Sequence, residues 1–274
     1  MQACAQKPWY GNLEYLGKLP AKLSEVSGMI ALPNKAIWVI EDNGNKNKIY
    51  QINLQGSLVK EIKVDNSKNH DWEDMASDQL ENIYIGDFGN NANERKNLSI
   101  LKLQGKPITY GEKIEAKKIK FEYPGQKKFP PKKKNRHFDC EAFFHHGNSL
   151  YLITKNRARP YTGKAFIYKL PDTPGSYKAE LVGELTTCTD SQFCSITGAD
   201  ISPDGKKIAL LASGYIWLYT DFTFDDFSKG KVEVIDVLHR TQQESICFMD
   251  NNTLLIADEQ SKTKGRNLYR YQLP

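Results

Sequence analysis

A short polar-to-apolar phrase recurs five times along the chain: SEVSGMIAL (24–32), WEDMASD (72–78), CEAFFHH (140–146), ITGADIS (196–202) and QESICFM (243–249). Each is followed by a turn signal, from Pro33-Asn34 in the first unit to Asn251-Asn252 in the last. An apolar run comes next: AIWVIED, NIYIGDF, SLYLITK, KIALLAS and TLLIADE. A third run follows in every unit (KIYQINL, LSILKLQ, AFIYKLP, YIWLYTD, NLYRYQL), and four units add a fourth (LVKEIKV, KKIKFEY, KAELVGE, KVEVIDV). The runs are short, rich in β-branched residues and bounded by turns, which predicts strands and leaves no helical period to compete.

Four antiparallel strands per unit, repeated at intervals of about 50 residues, predict a β-propeller, whose radial repetition hides the sheet edges. The expected fold is all-β, with five four-stranded blades over residues 10–274. The run NLEYLG (12–17) belongs to no unit and is expected to close the ring by completing the last blade. Six blades are the alternative if the long second unit hides another.

Composition narrows the class. The 274 residues are 39% hydrophobic and 11% aromatic, enough for a sizeable core. No apolar run approaches the ~18 residues of a membrane span. The formal charge of +5, from 38 basic and 33 acidic residues, is too mild to imply a nucleic-acid partner. Residues 1–9 form an expected flexible segment. There Met1-Gln2-Ala3-Cys4 resembles the end of a bacterial lipoprotein signal. That implies a lipid anchor at Cys4 and an extracytoplasmic (periplasmic, cell-surface or secreted) protein; an ordinary cytosolic N-terminus is the competing reading. Cys188 and Cys194 bracket a polar loop that a disulfide would close with modest gain, and free thiols fit equally well. Cys140 and Cys247 lie in apolar runs and are expected to be buried.

Propeller topology turns the repeat into a location. The start of a blade's first strand and the end of its second emerge on one face, and charged residues gather at those two places. First-strand starts carry Glu25, Asp71, Glu73, Asp74, Asp139, Glu141 and Glu244, with Asp200 deeper. Second-strand ends carry Glu41, Asp42, Asp87, Asn90, Asn91, Lys155, Arg157, Asp258 and Glu259. A carboxylate ring is self-repelling unless neutralised. Hard oxygen ligands suit calcium, for which Glu25, Glu73, Glu141 and Glu244 are the expected ligands. Raised carboxyl pKa values or internal pairing with Lys155, Arg95 and Arg157 are the alternatives. Asp42, Asp87, Asn90, Asp258 and Arg157 are expected to contact a ligand, and in a catalytic version Glu73, Glu141 and Lys155 carry the chemistry.

Other signals are weaker. KKFPPKKKNRH (127–137) is a basic loop at the same mouth, either solvated or attracting an anion. In GDFGNN (86–91) the glycines are expected to turn the backbone while Asp87 and Asn90 point inward. His70, His137, His145 and His146 are ambiguous, and no serine has a nucleophile-elbow context. Trp38, Trp72 and Trp217 suit core packing, with Trp72 also placed to stack a sugar.

The phrases SEVSG, NHDWEDMA, IYIGDFGNN, DCEAFF, LYLITKN and QESICF together resemble secreted bacterial propellers of the esterase-like phytase or strictosidine-synthase-like kind. More distantly the pattern is similar to the calcium-dependent phosphotriesterase superfamily, which includes gluconolactonases and paraoxonases. That likeness implies a calcium at the channel mouth with Glu25 as the glutamate of the first inner strand. Glu73, Glu141 and Glu244 stand where that superfamily more often has Asn or Asp, and Thr197 where a ligand is expected. Those enzymes have six blades. Three functions follow: a propeller that binds a small molecule, glycan or protein at a calcium-type mouth; a metal-dependent ester or phosphoester hydrolase; or a structural propeller with an internally satisfied acidic ring.

Overall fold

The computed structural model describes residues 9–105 and 111–274. The possible lipid anchor at Cys4 lies outside them. Strand β1 (Glu14–Lys18) precedes the first blade, β2 (Val26–Ala31), β3 (Ile37–Glu41), β4 (Lys48–Ile52) and β5 (Leu58–Val64). The second blade holds β6 (Trp72–Ser77), β7 (Ile83–Asp87) and β8 (Ser99–Leu103), then, after the short β9 (Lys113–Ile114), β10 (Lys117–Glu122). In the third, β11 (Asp139–His146), β12 (Ser149–Lys155) and β13 (Lys164–Pro171) are followed by β14 (Gly175–Lys178) and β15 (Glu180–Thr186). The fourth is β16 (Gly198–Ile201), β17 (Ile208–Ala212), β18 (Tyr215–Thr220) and β19 (Lys231–Asp236); the fifth is β20 (Gln243–Phe248), β21 (Thr253–Asp258) and β22 (Asn267–Gln272).

These strands form five sheets in a ring, a five-bladed propeller closed by β1, which lies antiparallel on β22. Glu14 faces Arg270 across that seam and pairs with it at 2.6 Å. The long second unit hides no sixth blade. Its surplus supplies β9, which pairs in parallel with β5 of the first blade, and the basic loop before β11. The third blade likewise lends β14 to the second, parallel to β10.

The strand pattern follows from stacking. Second strands are covered on both faces by neighbouring blades, so β3, β7, β17 and β21 are buried throughout and read as continuous apolar runs. Outer strands meet solvent, and β10 alternates buried Ile119 and Phe121 with exposed lysines. Five apolar clusters fill the five blade interfaces. Trp72 and Trp38 lie in the cluster between the first two blades, and Trp217 between the third and fourth. Trp72 is fully buried, so it is a core residue and not a sugar platform. Cys188 and Cys194 form a disulfide, and Cys140 and Cys247 are buried thiols.

One carboxyl group ties three blades together at the axis. Asp74 is fully buried, and its carboxyl accepts backbone N–H bonds from Met75 (2.8 Å), Phe143 of β11 (3.0 Å) and Ala199 of β16 (3.3 Å). Burial holds its pKa well above the ordinary value, against those amides. Asp200 repeats the device, accepting from Phe248 of β20 at 2.7 Å. Asp74→Ala strands buried donors on three inner strands and is expected to destabilise the fold by about 3 kcal/mol. Near-isosteric Asp74→Asn should lose much less. Equal unfolding midpoints for wild type and Asp74→Ala in denaturant titration would remove this role.

Candidate functional site

Local backbone irregularity aims the mouth. β6, β11 and β20 each break register close to their first residue, between Trp72 and Met75, Cys140 and Ala142, and Gln243 and Ser245. The residues displaced from the ladder are Glu73 with Asp74, Glu141, and Glu244. β-Bulges of this kind redirect side chains next to functional sites. The first blade bulges too, between Val26 and Met29, but there Ser27 occupies the position that Glu73 holds in the second. The serine hydroxyl donates to the Trp72 carbonyl at 3.0 Å. Glu25 lies before the bulge, exposed, accepting from Asn45 at 2.6 Å.

Close to the axis, Asp42, Asp71 and Glu73 each present a carboxylate oxygen within 4.8 Å of the other two. The chain passes this group only because residue 89 is glycine. A Cβ there would stand 2.0 Å from Glu73 Oε1 and 2.6 Å from Asp71 Oδ2. Burial, reinforced by the neighbouring carboxylates, raises Asp42 and Asp71 each to about 6 and lifts Glu73 well above its usual range. Glu244 is pushed up to about 7 and Glu259 to about 9 for the same reasons. Beside them Glu41 is buried and raised to about 7, chiefly by desolvation, with Oε1 lacking a hydrogen-bond partner.

The third blade behaves differently. Arg157 donates to both Asp139 and Glu141, the latter at 2.6 Å, and Lys155 donates to Glu141 at 3.2 Å. Burial opposes it, yet Lys155 and Arg157 hold Glu141 below the ordinary carboxylate range. Asp139, fully buried beside Glu141, rises to about 8. Acidity at this mouth is therefore divided: a paired sector over the third blade, and a sector from the first, second and fifth blades in which carboxylates face one another.

Several candidates lie elsewhere. Asp87 is bonded to His70 (2.9 Å) and Arg95 (2.8 Å), and the same Arg95 reaches Asp71 of the cluster at 3.9 Å. Asn90 donates to the Phe138 carbonyl and accepts from the Arg95 amide, tying two loops together. Asp258 accepts from Asn267 and Tyr269 within its own blade. Of the four glutamates expected as metal ligands, only Glu73 joins the cluster, and its partners are Asp42 and Asp71. Thr197 donates to the Gln243 carbonyl at 2.7 Å. His145 and His146 end β11 at the opposite opening, where His145 bonds Asp172 at 3.0 Å and His146 stacks on Phe224. The basic loop leaves Lys132–Lys134 exposed and accepts backbone bonds from Arg157 and Arg159.

No family model matches the chain, and no curated protein matches it in sequence. Its fold is similar to the PQQ-bound form of an aldose sugar dehydrogenase from Streptomyces coelicolor, with a TM-score of 0.52 at 10% identity over 96% of this chain and 98% of that one. It is also similar to a structural-genomics protein from Bacteroides thetaiotaomicron, with a TM-score of 0.53 at 10% identity over 95% and 75% of the two chains. A gluconolactonase from Xanthomonas campestris aligns at 10% identity with a TM-score of 0.48, over 92% of this chain and 73% of that one. At such identities the first two likenesses are of fold alone, and the five sheets in a ring make this chain a β-propeller.

Proposed function

We propose that the mouth binds a calcium-type cation and, with it, a ligand or partner. The observation that carries this reading is the convergence of Asp42, Asp71 and Glu73, three hard oxygen donors in one small space. Calcium accepts six to eight oxygens in flexible geometry, so three carboxylates plus carbonyls and water suit it. The donor set fits: these groups face one another, and among the described residues the nearest cation to Asp71 is Arg95, at 3.9 Å. The residues that would hold the ion are these three, in place of the four glutamates expected from the repeat. The Cys188–Cys194 disulfide supports an oxidising, extracytoplasmic setting.

A hydrolase is the second reading, favoured by one feature. Glu141 is held ionised by Lys155 (3.2 Å) and Arg157 (2.6 Å), whereas burial and neighbouring carboxylates favour the protonated form of Glu73, an arrangement that suits a base and an acid in one site. A bound cation would supply charge stabilisation at an ester or phosphoester oxygen. Glu73 would hold or move the proton, and Lys155 and Arg157 would keep Glu141 ionised. On this reading Glu73→Gln abolishes turnover of aryl esters or phosphoesters while the protein stays folded. Full activity in that variant removes the role.

The cation itself is tested by thermal unfolding after chelation and again with calcium restored. A ligand present at one hundred times its dissociation constant adds about 2.7 kcal/mol, or about 5 °C for a chain of this size. Asp42→Asn/Asp71→Asn should remove that response. An unchanged Tm in wild-type protein would leave the mouth without a metal.

The metal-free protein should also lose stability with rising pH. Carboxyl groups with a folded pKa above the unfolded one bind protons more tightly when native. Their contribution is therefore full below about pH 4 and is lost as pH climbs through the folded values, about 6 for Asp42 and Asp71 to about 9 for Glu259. Calcium competes with those protons, so its stabilisation should be larger at pH 8 than at pH 5. A calcium increment independent of pH would place the ion away from this cluster.

A further inference from the structure

Links between successive blades emerge on one side of this molecule. Strands alternate in direction within a blade, so the end of a fourth strand and the start of the next first strand share the mouth face. Two of these links carry exposed groups of a kind that the rest of the fold pairs or buries.

The link from β10 to β11 is the basic loop. Residues 127–136 hold six cations, Lys127, Lys128, Lys132, Lys133, Lys134 and Arg136, and no acid. The five lysines are exposed, and among the described residues none of the six cations forms an ion pair. Elsewhere Lys22 is matched with Glu61 at 2.6 Å and Lys231 with Asp221 at 2.7 Å. Blocks of like charge repel and tend to disorder. This one is held in place: the Arg157 and Arg159 amides donate to the Arg136 and Lys133 carbonyls at 3.0 and 3.2 Å, and the Lys96 ammonium lies 5.0 Å from the centre of the Phe129 ring. Glu94 and Asp190, the exposed acids of the adjoining mouth-face loops, leave the sector strongly positive.

The link from β19 to β20 contributes apolar surface. Leu238 is 47% exposed at a φ of 55°, a left-handed backbone that bulky residues rarely adopt. The segment that leads into β1 is pinned beside it. Asn12 donates its amide to the Val237 carbonyl at 2.8 Å, and Tyr10 stacks on the half-exposed Tyr15 with ring centroids 5.0 Å apart. Trp9, next to Tyr10 in the chain, is 72% exposed, whereas Trp38, Trp72 and Trp217 are buried.

A fixed polybasic loop and a cluster of exposed aromatic and aliphatic side chains on one face match the two attractions of an anionic bilayer. Indole and phenol rings favour headgroup depth, and lysines are drawn to anionic headgroups. Asp71 and Glu73 are buried, so these acids do not meet a surface laid across the rim. Chain geometry favours a bilayer over other polyanions. Cys4, the expected lipid anchor, stands five residues before Trp9, and five residues span at most about 17 Å. An anchor there would hold this face, and not the opposite one, against the membrane.

We propose that the mouth face docks onto an anionic lipid bilayer, with the 127–136 loop against the headgroups and Trp9 and Leu238 at their depth. The proposal is independent of any cation at the mouth.

Partition of the unlipidated full chain into vesicles tests it, in chelator so that calcium cannot bridge protein and lipid. The vesicles are phosphatidylcholine alone and phosphatidylcholine mixed with phosphatidylglycerol. Binding should require the anionic lipid and weaken as salt is added. Tryptophan emission should shift to the blue on binding, a change lost in Trp9→Phe because the other tryptophans are already buried. Lys132→Glu/Lys133→Glu/Lys134→Glu, at exposed positions, should keep the wild-type Tm and lower partition by at least about tenfold. Lys35→Glu/Lys206→Glu/Lys229→Glu makes the same change of charge at the opposite opening and should alter partition by less than about twofold. The proposal is overturned by any of five results. These are no partition at millimolar lipid, equal partition into both vesicles, equal loss in the two triple variants, unshifted emission from bound protein, or binding to heparin without binding to vesicles, which would make the partner an acidic glycan.

Discussion

Five inner strands must share one axis, and that crowding governs everything else in this molecule. The bulges in β6, β11 and β20 turn glutamates out of their ladders beside that axis. Carboxyl groups from different blades are thereby buried side by side, where desolvation and mutual repulsion both disfavour charge. The structure answers in three ways. Asp74 is absorbed by backbone amides of three blades, Glu141 and Asp139 by Lys155 and Arg157, and Asp42, Asp71 and Glu73 are left facing one another, with Arg95 only at 3.9 Å from Asp71. The first answer builds the fold, the second fixes one side of the mouth, and the third leaves three carboxylates converging on one small space.

The architecture was legible because face-to-face stacking of blades leaves a strong imprint on a sequence. A strand buried on both faces must be apolar throughout, as in AIWVIED or TLLIADE, and such runs between turn signals admit no helical alternative. The strand that closes the ring was legible for the same reason, as a β-rich run with no unit of its own. The borrowed strands were not. β9 has two residues and β14 four, too few for any periodicity, and both take their place from pairing with another blade.

Site residues were only partly legible, and the bulges explain why. Alternation assigns side chains to faces only while register holds; one extra residue reverses the assignment. Counting back from apolar runs pairs Glu25 with Glu73, whereas the register pairs Ser27 with it. Strand ends pose a second difficulty. Asp87, Asn90 and Asp258 lie at the mouth in sequence terms, yet their side chains are held by Arg95, Phe138, Asn267 and Tyr269. Those partners come from loops and neighbouring strands that no local pattern announces. The glycine at position 89 was a usable signal, since a residue without Cβ beside a carboxylate run marks close approach.

The division of the mouth also bears on how a ligand would be held. Lys155 and Arg157 look from the sequence like groups for an anionic substrate, but both are engaged with Glu141 and Asp139. To serve a ligand they would have to surrender bonds to carboxylates that are themselves almost wholly buried, leaving those charges uncompensated at a cost of several kcal/mol. A cation on Asp42, Asp71 and Glu73 has no such conflict, because it relieves repulsion already present. The attractive force on an anionic or polar ligand at this opening would then come from the bound ion, with the Lys155–Arg157 sector acting as a fixed, pre-paired wall. Specificity would depend on that wall's shape more than on its charge.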